Sequence, residues 1–308
     1  MPELPEVHTT VSQLNKLLPK LAIKDVWSGY DSSYYSGKIN IKNKKYFKEF
    51  KKEIVGRKIK NVDRYGKYIL INLTGGVTIL THMKMTGHYL FGKYRKSTAK
   101  EKKKGALEWI PDEEGPLRDP FNRFIYLVFT LSNGKHLVLS DMRKFATVFS
   151  YKTKEVPEDV MNLGPCPLKK EFTFSKFLDV MSKTSNQPIK TTLMNQKVIA
   201  GIGNIYSDEI LWASGINPKN QTQNISRKYL YGIYKNIKTL LKKGVSLGGD
   251  SMSDYRTPDG TKGGFQYHHK AYQREGEKCP KRGCNGVIKR IIIGGRSTHF
   301  CPEHQKMF

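Results

Sequence analysis

The sequence predicts an α+β protein in which strands dominate the first half and helices the second. Three observations carry this. Apolar residues at steps of three and four over residues 3–18 give way to short alternating or apolar runs. Beyond a proline-marked stretch near 152–170 the period turns helical. Three of the four cysteines then fall in the last 30 residues, among strand-like segments. At 308 residues the chain is long enough for one to three domains with a buried core.

The elements follow in order. Leu4, Val7, Val11, Leu14 and Leu18 line one face of an opening helix. Runs at 55–62, 68–73, 77–82, 124–131, 136–139 and 146–151 have strand character, with Gly75-Gly76 and Asn133-Gly134 as turn signals. This half is expected to be a β-sandwich with one helix attached. Pro157, Pro165 and Pro167 mark a linker. Helices are predicted at 172–183, 186–195, 204–214 and 225–244, followed by a Gly- and His-containing loop over 248–272. The expected domain boundaries are 1–155, 156–272 and 273–308.

Charge narrows the function class. Fifty-four Lys and Arg against 27 Asp and Glu give a formal net charge of +27, with a pI near 9.8. Such a field attracts polyanions, and nucleic acid is the usual target because binding releases counterions. An acidic membrane surface or a lysine-rich proteome would also fit the charge. Residues 93–104 (KYRKSTAKEKKK) hold seven basic side chains and predict a solvated, disordered insertion, with extra contact to DNA backbone as the alternative. Mean hydropathy is −0.56, and no run of 18 apolar residues predicts a membrane span. The MPELPEVHTT start lacks the pattern of a secretory signal, so a cytoplasmic location is expected, nucleoid-associated if bacterial.

The cysteines predict one structural Zn²⁺. Cys279-x4-Cys284, sixteen residues, then Cys301-x2-His304 supply thiolate and imidazole ligands for a closed tetrahedral shell. So short a tail needs a staple. His299 is the alternative fourth ligand, and Cys166 stands alone with a structural role. Gly294-Gly295 before Arg296 fits a tight hairpin tip that projects one cation.

Four separated segments, in order, carry a resemblance. They are MPELPEV at 1–7, Arg64-Tyr65-Gly66-Lys67-Tyr68 before a strand, Ala200-Gly201-Ile202-Gly203-Asn204-Ile205-Tyr206 in the helical half, and Gly295-Arg296-Ser297-Thr298 in the cysteine-bearing tail. Together they resemble the formamidopyrimidine-DNA glycosylase / endonuclease VIII family over essentially the whole chain. The PELPE start is similar to its formamidopyrimidine (8-oxoguanine) branch. The resemblance implies an N-terminal β-sandwich with an attached helix, a C-terminal helix–two-turn–helix domain and a zinc-finger β-hairpin. It implies base-excision repair of damaged double-stranded DNA by a bifunctional glycosylase and AP lyase that removes oxidised purines. A monomer is expected.

The same resemblance implies roles residue by residue. Pro2, once Met1 is removed, is the nucleophile that forms a Schiff base before β,δ-elimination. A terminal amine suits this, because its reference pKa of about 7.7–8.0 leaves more free base near neutrality than a lysine. Glu3 transfers a proton to the sugar ring oxygen, and Glu6 helps position Pro2. Lys67, Lys190, Asn204 and Arg296 contact phosphate. Met85 and Phe145 are apolar wedges, and Arg143 pairs with the orphaned base. Residues 252–266 resemble a loop that closes over the everted base, with Gly260, Gly263 and Gly264 giving it freedom to move. The chain departs from the family pattern at Met142, Lys144 and Ala146, and in its C-x4-C spacing with a histidine ligand. The rival readings are a non-catalytic zinc-finger DNA-binding protein, an RNA-associated basic protein, and a glycosylase preferring oxidised pyrimidines.

Overall fold

The structure is a computed structural model that describes residues 1–29, 33–103, 107–184, 186–252 and 254–308. Lys104 of the basic insertion and Ser253 of the 252–266 loop lie outside the described residues. The chain forms two compact units. The first holds Met1–Pro2, Glu6–Met161 and Gly248–Gly263, and the second holds Glu3–Pro5, Asn162–Leu247 and Gly264–Phe308.

The first unit contains most of α1 (Leu4–Leu17), then β1 (Ile23–Ser28), α2 (Lys44–Ile54), β2 (Ile59–Tyr65), β3 (Tyr68–Leu73), β4 (Val77–His82), β5 (His88–Gly92), β6 (Tyr94–Lys96), α3 (Ala99–Lys103), β7 (Trp109–Pro111), β8 (Ile125–Leu131), β9 (His136–Ser140), β10 (Thr147–Lys152) and α4 (Glu158–Met161). Two antiparallel four-stranded sheets, in the orders β1-β8-β9-β5 and β10-β4-β3-β2, make the sandwich. Ile69, Ile71 and Leu73 of one sheet share a core with Leu137 and Leu139 of the other and with Val7, Val11 and Leu14 of α1. Leu70 faces the opposite way, against Leu80 and Val160. Both faces of β3 are therefore covered, which is why its sequence reads as a nearly unbroken apolar run. A bulge between Ile125 and Leu127 turns Tyr126 into the same core as Leu127.

Two expectations for this half need correction. The sandwich carries a second long helix, α2, which the sequence reading left out. Asn43 caps it by accepting from the Lys45 and Tyr46 N–H groups, and Phe50 and Ile54 are buried. Its seven lysines and glutamates hide a sound four-residue apolar step (KKYFKEFKKEI). The basic insertion is also ordered where described. Strands β6 and β7 pair, Tyr94 and Trp109 are buried, and Arg95 bridges Glu101 and Asp112. Lys102 pairs with Glu108. Local acids pair with Arg95 and Lys102, and the buried Tyr94 and Trp109 anchor the strand pair.

The second unit holds α5 (Phe174–Ser182), α6 (Ile189–Met194), α7 (Asn204–Ser214), α8 (Arg227–Ser246) and the hairpin β11 (Lys289–Ile293) and β12 (Arg296–Phe300). The four helices stand where the period predicts them. Thr173 caps α5 through the Lys176 N–H. Ile233, Ile237 and Leu241, one turn apart on α8, pack with Phe177, Leu193, Tyr206 and Ile210.

Candidate functional site

In the first unit, Pro2 is buried ahead of α1 and Met1 is exposed. Glu6 is buried, and its Oε1 accepts from the Asp250 N–H at 2.7 Å. The Tyr255 hydroxyl donates to the Glu6 carbonyl at 3.0 Å. Glu6 therefore ties the opening helix to the segment 248–263. Lys67 is buried at the two-residue turn that joins β2 to β3. Its charge reaches His82, whose pKa is pushed down to about 3 by burial first, then by Lys84 and Lys67. His82 Nδ1 accepts from the Lys84 N–H, so this imidazole is held neutral.

The two loops expected to carry wedges are fastened together. Asp141 is fully buried at the start of the second loop. Its Oδ1 accepts from the Thr86 hydroxyl of the first loop and from the Arg143 N–H, and its Oδ2 accepts from the Ala146 N–H. Lys84 and Lys144 adopt φ of +54° in the two tight turns. What the loops bury is Met83, Thr86, Asp141 and Ala146. What they present is Met85, 36% exposed, and Phe145, 51% exposed, with the Arg143 guanidinium 4.6 Å from the Phe145 ring. Thr86 and Asp141 escaped the sequence reading, although an aspartate opening a turn is a recognisable Asx signal.

The segment 252–266, described apart from Ser253, packs closely over 254–263. Arg256 is 1% exposed, binds Asp119 at 3.0 Å and lies over the Phe121 ring. The Phe91 N–H donates to Pro258, and Gly263 donates to Ser251. A Cβ at Gly260 would stand 2.7 Å from the Pro116–Leu117 backbone, and one at Gly263 would stand 2.3 Å from the Gly249 carbonyl. Gly260 and Gly263 therefore serve close packing, while a Cβ at Gly264 would meet only ordinary contacts. The stretch 248–263 also packs within the first unit, although chain order places it with the helices.

In the second unit, Glu3 is 2% exposed and its carboxylate accepts from the N–H groups of Gly203 (2.7 Å), Ile205 (2.8 Å) and Tyr206 (3.4 Å). It caps α7 from 200 residues away in sequence. The anion held at this helix N-terminus is thus Glu3 itself, which engages these amides. Oε2 takes the Gly203 and Tyr206 bonds and Oε1 the Ile205 bond, and a carboxyl oxygen that accepts one bond can still carry a proton. The Asn204 side chain stands apart from them. Its Oδ1 is buried without a hydrogen-bond partner, beside an open cleft of about 610 Å³ that Arg290, Arg296 and Gln273 also line. Gly294 and Gly295 take φ of +56° and +71° in the two-residue turn between Ile293 and Arg296, which brings Arg296 to the cleft as the sequence predicts.

Lys190 does not offer a direct phosphate contact in this geometry. It is 0% exposed, and its Nζ donates to Asp208 Oδ1 at 2.5 Å and to the Asn204 carbonyl at 3.3 Å. Burial lowers its pKa, and Asp208 opposes the shift. The second Asp208 oxygen accepts from the His299 N–H (2.9 Å) and ring Nδ1 (3.1 Å). His299 is thereby a partner of Asp208, not a fourth metal ligand. Glu209, next in the chain, accepts from the N–H groups of Lys270, Ala271 and Tyr272. Burial raises its pKa against the pull of those donors. Two consecutive buried acids on α7 thus hold β12 and the 270–272 turn in place, and the sequence reading missed both. Asp208→Asn leaves the Lys190 ammonium buried beside a neutral group. Urea unfolding is expected to show a loss of about 3–5 kcal/mol; a loss below about 1 kcal/mol would mean that Lys190 does not depend on this partner.

The ligand atoms of Cys279, Cys284, Cys301 and His304 lie within 4.8 Å of one another and can hold a metal ion. His304 Nδ1 faces Cys279 Sγ at 3.3 Å, while its Nε2–H donates to the Trp212 carbonyl at 3.0 Å. That second bond fixes the tautomer a metal ligand needs. Cys166 lies outside the cluster. Among the described residues, no helix is long and apolar enough to cross a membrane.

Comparison with known proteins gives a consistent result. The formamidopyrimidine-DNA glycosylase N-terminal domain profile matches residues 1–148, and the H2TH domain profile of the same enzymes matches residues 163–256. The formamidopyrimidine-DNA glycosylase of Carboxydothermus hydrogenoformans is 36% identical over 306 residues, covering 99% of this chain and 100% of its own. That of Bacillus subtilis is 32% identical over 307 residues, covering 99% of both. Among solved structures, Lactococcus lactis Fpg in complex with DNA containing an abasic site superposes with a TM-score of 0.79 at 28% identity, covering 99% of each chain. MutM in complex with DNA containing carbocyclic 8-oxo-G gives 0.78 at 29% identity, covering 99% of this chain and all of that one.

Proposed function

Because this chain belongs to the formamidopyrimidine-DNA glycosylase family, a DNA glycosylase family of base-excision repair, we propose that it excises oxidised purines, 8-oxoguanine and formamidopyrimidines, and then cuts the strand as an AP lyase. The observation that carries this reading is the pair of fastened loops that bury Thr86 and Asp141 yet expose Met85, Phe145 and Arg143. Everting a base leaves a gap in the stack, and apolar side chains held on short rigid turns can fill it. Solved relatives bound to 8-oxo-G and abasic-site DNA support double-stranded damaged DNA as the partner of this chain.

The chemistry assigned to the chain's own residues begins at Pro2. With Met1 removed, its secondary amine attacks the sugar C1′, the C1′–N bond to the base breaks, and the ring opens to a cationic iminium. Loss of a C2′ proton expels the 3′ phosphate, and a second elimination expels the 5′ phosphate. Glu3 assists proton movement at the ring oxygen, Glu6 fixes the helix behind Pro2, and Lys67 supplies positive charge at the turn. Asn204 and Arg296 grip phosphate, while Lys190 positions Asn204 through its carbonyl. Cys279, Cys284, Cys301 and His304 would hold one structural Zn²⁺, which contributes folding energy to the hairpin and no chemistry. We assign chemistry to residues 1–155 together with 248–263, backbone grip to the remainder of 156–272, and the zinc finger to 273–308. The enzyme works as a monomer in the cytoplasm, at the nucleoid if its source is bacterial.

Single-turnover excision tests the substrate assignment. Release of 8-oxoguanine from a duplex is expected to outpace release of an oxidised pyrimidine; the reverse order would hand the chain to pyrimidine lesions. Arg296→Ala is expected to weaken binding to an abasic-analogue duplex by about 1.5–3 kcal/mol, the range for a charge-assisted hydrogen bond. Its unfolding midpoint should stay unchanged, because Arg296 is exposed at the hairpin tip.

A further inference from the structure

Helix α8 carries a line of cations that the proposed chemistry does not use. Its twenty residues hold Arg227, Lys228, Lys235, Lys238, Lys242 and Lys243, and no acid. Lys228, Lys235 and Lys242 recur every seven residues, two helical turns, and all three are exposed. They stand about 10 Å apart along the axis. Tyr231 is exposed on the same face, with Lys235 over its ring at 5.8 Å. Among the described residues, Lys228, Lys235, Lys238 and Lys242 have no acidic partner. On neighbouring α5, Asp179 is taken by Lys176 and Lys183. The contrast with the basic insertion is direct, since there Arg95 and Lys102 are each paired with acids.

We infer that this face of α8 binds the phosphate backbone of a second segment of duplex DNA. It is not part of the Asn204–Arg296 cleft, which no α8 residue lines. Helix α7 packs on β12 and on α8, so the hairpin and α8 are held in one unit. The choice of duplex DNA over a lipid surface rests on the apolar stripe. Ile233, Ile237 and Leu241 are buried in the unit's own core, which leaves nothing for insertion among acyl chains. Three lysines over about 21 Å match the span of roughly six phosphates along one strand. The contact carries no sequence information and serves capture and transfer between DNA segments. It builds on the proposal that the chain acts on duplex DNA, but it is measured separately from excision.

The test compares the full-length wild type with Lys228→Gln/Lys235→Gln/Lys242→Gln and the matching triple arginine variant, using undamaged 15-base-pair duplex. Sedimentation at low salt should find two duplexes per wild-type chain and per arginine variant, and one per glutamine variant. The second binding event of the wild type should weaken with salt at a log–log slope of about −3. Excision of 8-oxoguanine from a short duplex at saturating enzyme should be unchanged. One duplex per wild-type chain, or two per glutamine variant, overturns the inference. Loss of binding to phosphatidylserine vesicles with unchanged duplex stoichiometry overturns it in favour of a lipid surface. Wild type that binds two duplexes yet excises nothing leaves this surface standing and removes the excision reading instead.

Discussion

Borohydride added to the wild-type protein on a duplex containing 8-oxoguanine is expected to leave chain and DNA covalently joined. A chain with an uncleaved extension ahead of Pro2 is expected to leave no adduct. The reason is the nitrogen itself. With any residue attached before it, Pro2 nitrogen is a tertiary amide whose lone pair is delocalised into the carbonyl. It can neither attack C1′ nor form the iminium that hydride reduces. Excision should fall on the order of 10⁴-fold or more, the scale seen when a nucleophile is removed from a working site. Pro2→Gly keeps a terminal amine and should keep measurable trapping at that terminus, located by mass spectrometry of the trapped peptide. Equal trapping by the extended chain would place the nucleophile on a lysine and refute the role of Pro2.

Cys301→Ser is expected to take the metal content from one ion per chain to near zero and to unfold the hairpin. Cys301 is fully buried, and its sulfur lies 3.6 Å from that of Cys284. Structural zinc in small fingers contributes on the order of 10–16 kcal/mol of apparent binding energy at neutral pH. Few apolar groups stand ready to replace it, since the local cluster contains Ala271, Ile288 and the cysteines, with Trp212 beside them. Hydrogen exchange should rise across 289–300, and binding to abasic-analogue DNA should drop with the loss of Arg296 from its place. The sandwich strands 59–82 should keep their protection. Native protein lacking metal would refute the site.

The parts of this molecule legible in sequence are those whose cause is local or whose pattern is short. The strands at 68–73 and 77–82 and the helix at 204–214 appear at the bounds their periodicity gives. The Gly294-Gly295 turn and the clustering of Cys279, Cys284 and Cys301 were equally plain, while the choice of His304 over His299 needed the structure. Helix α2 was legible too, through Asn43 and the step from Phe50 to Ile54, but its lysines obscured it.

Other features depended on closure of the chain. Asp208 and Glu209 look like two solvated acids on a helix until Lys190, His299 and the 270–272 amides are brought to them. Glu3 gives no hint of capping a helix that begins at residue 204. The glycines of 260–263 suggested mobility, and the packing that makes them obligatory involves residues more than a hundred positions earlier in the first case. Sequence by itself determined the class of fold, the family and the three cysteines of a cluster that can hold a metal ion. The tertiary structure decided which charges are buried and paired, because a charge acquires its partner, and burial acquires its cost, only when distant segments meet.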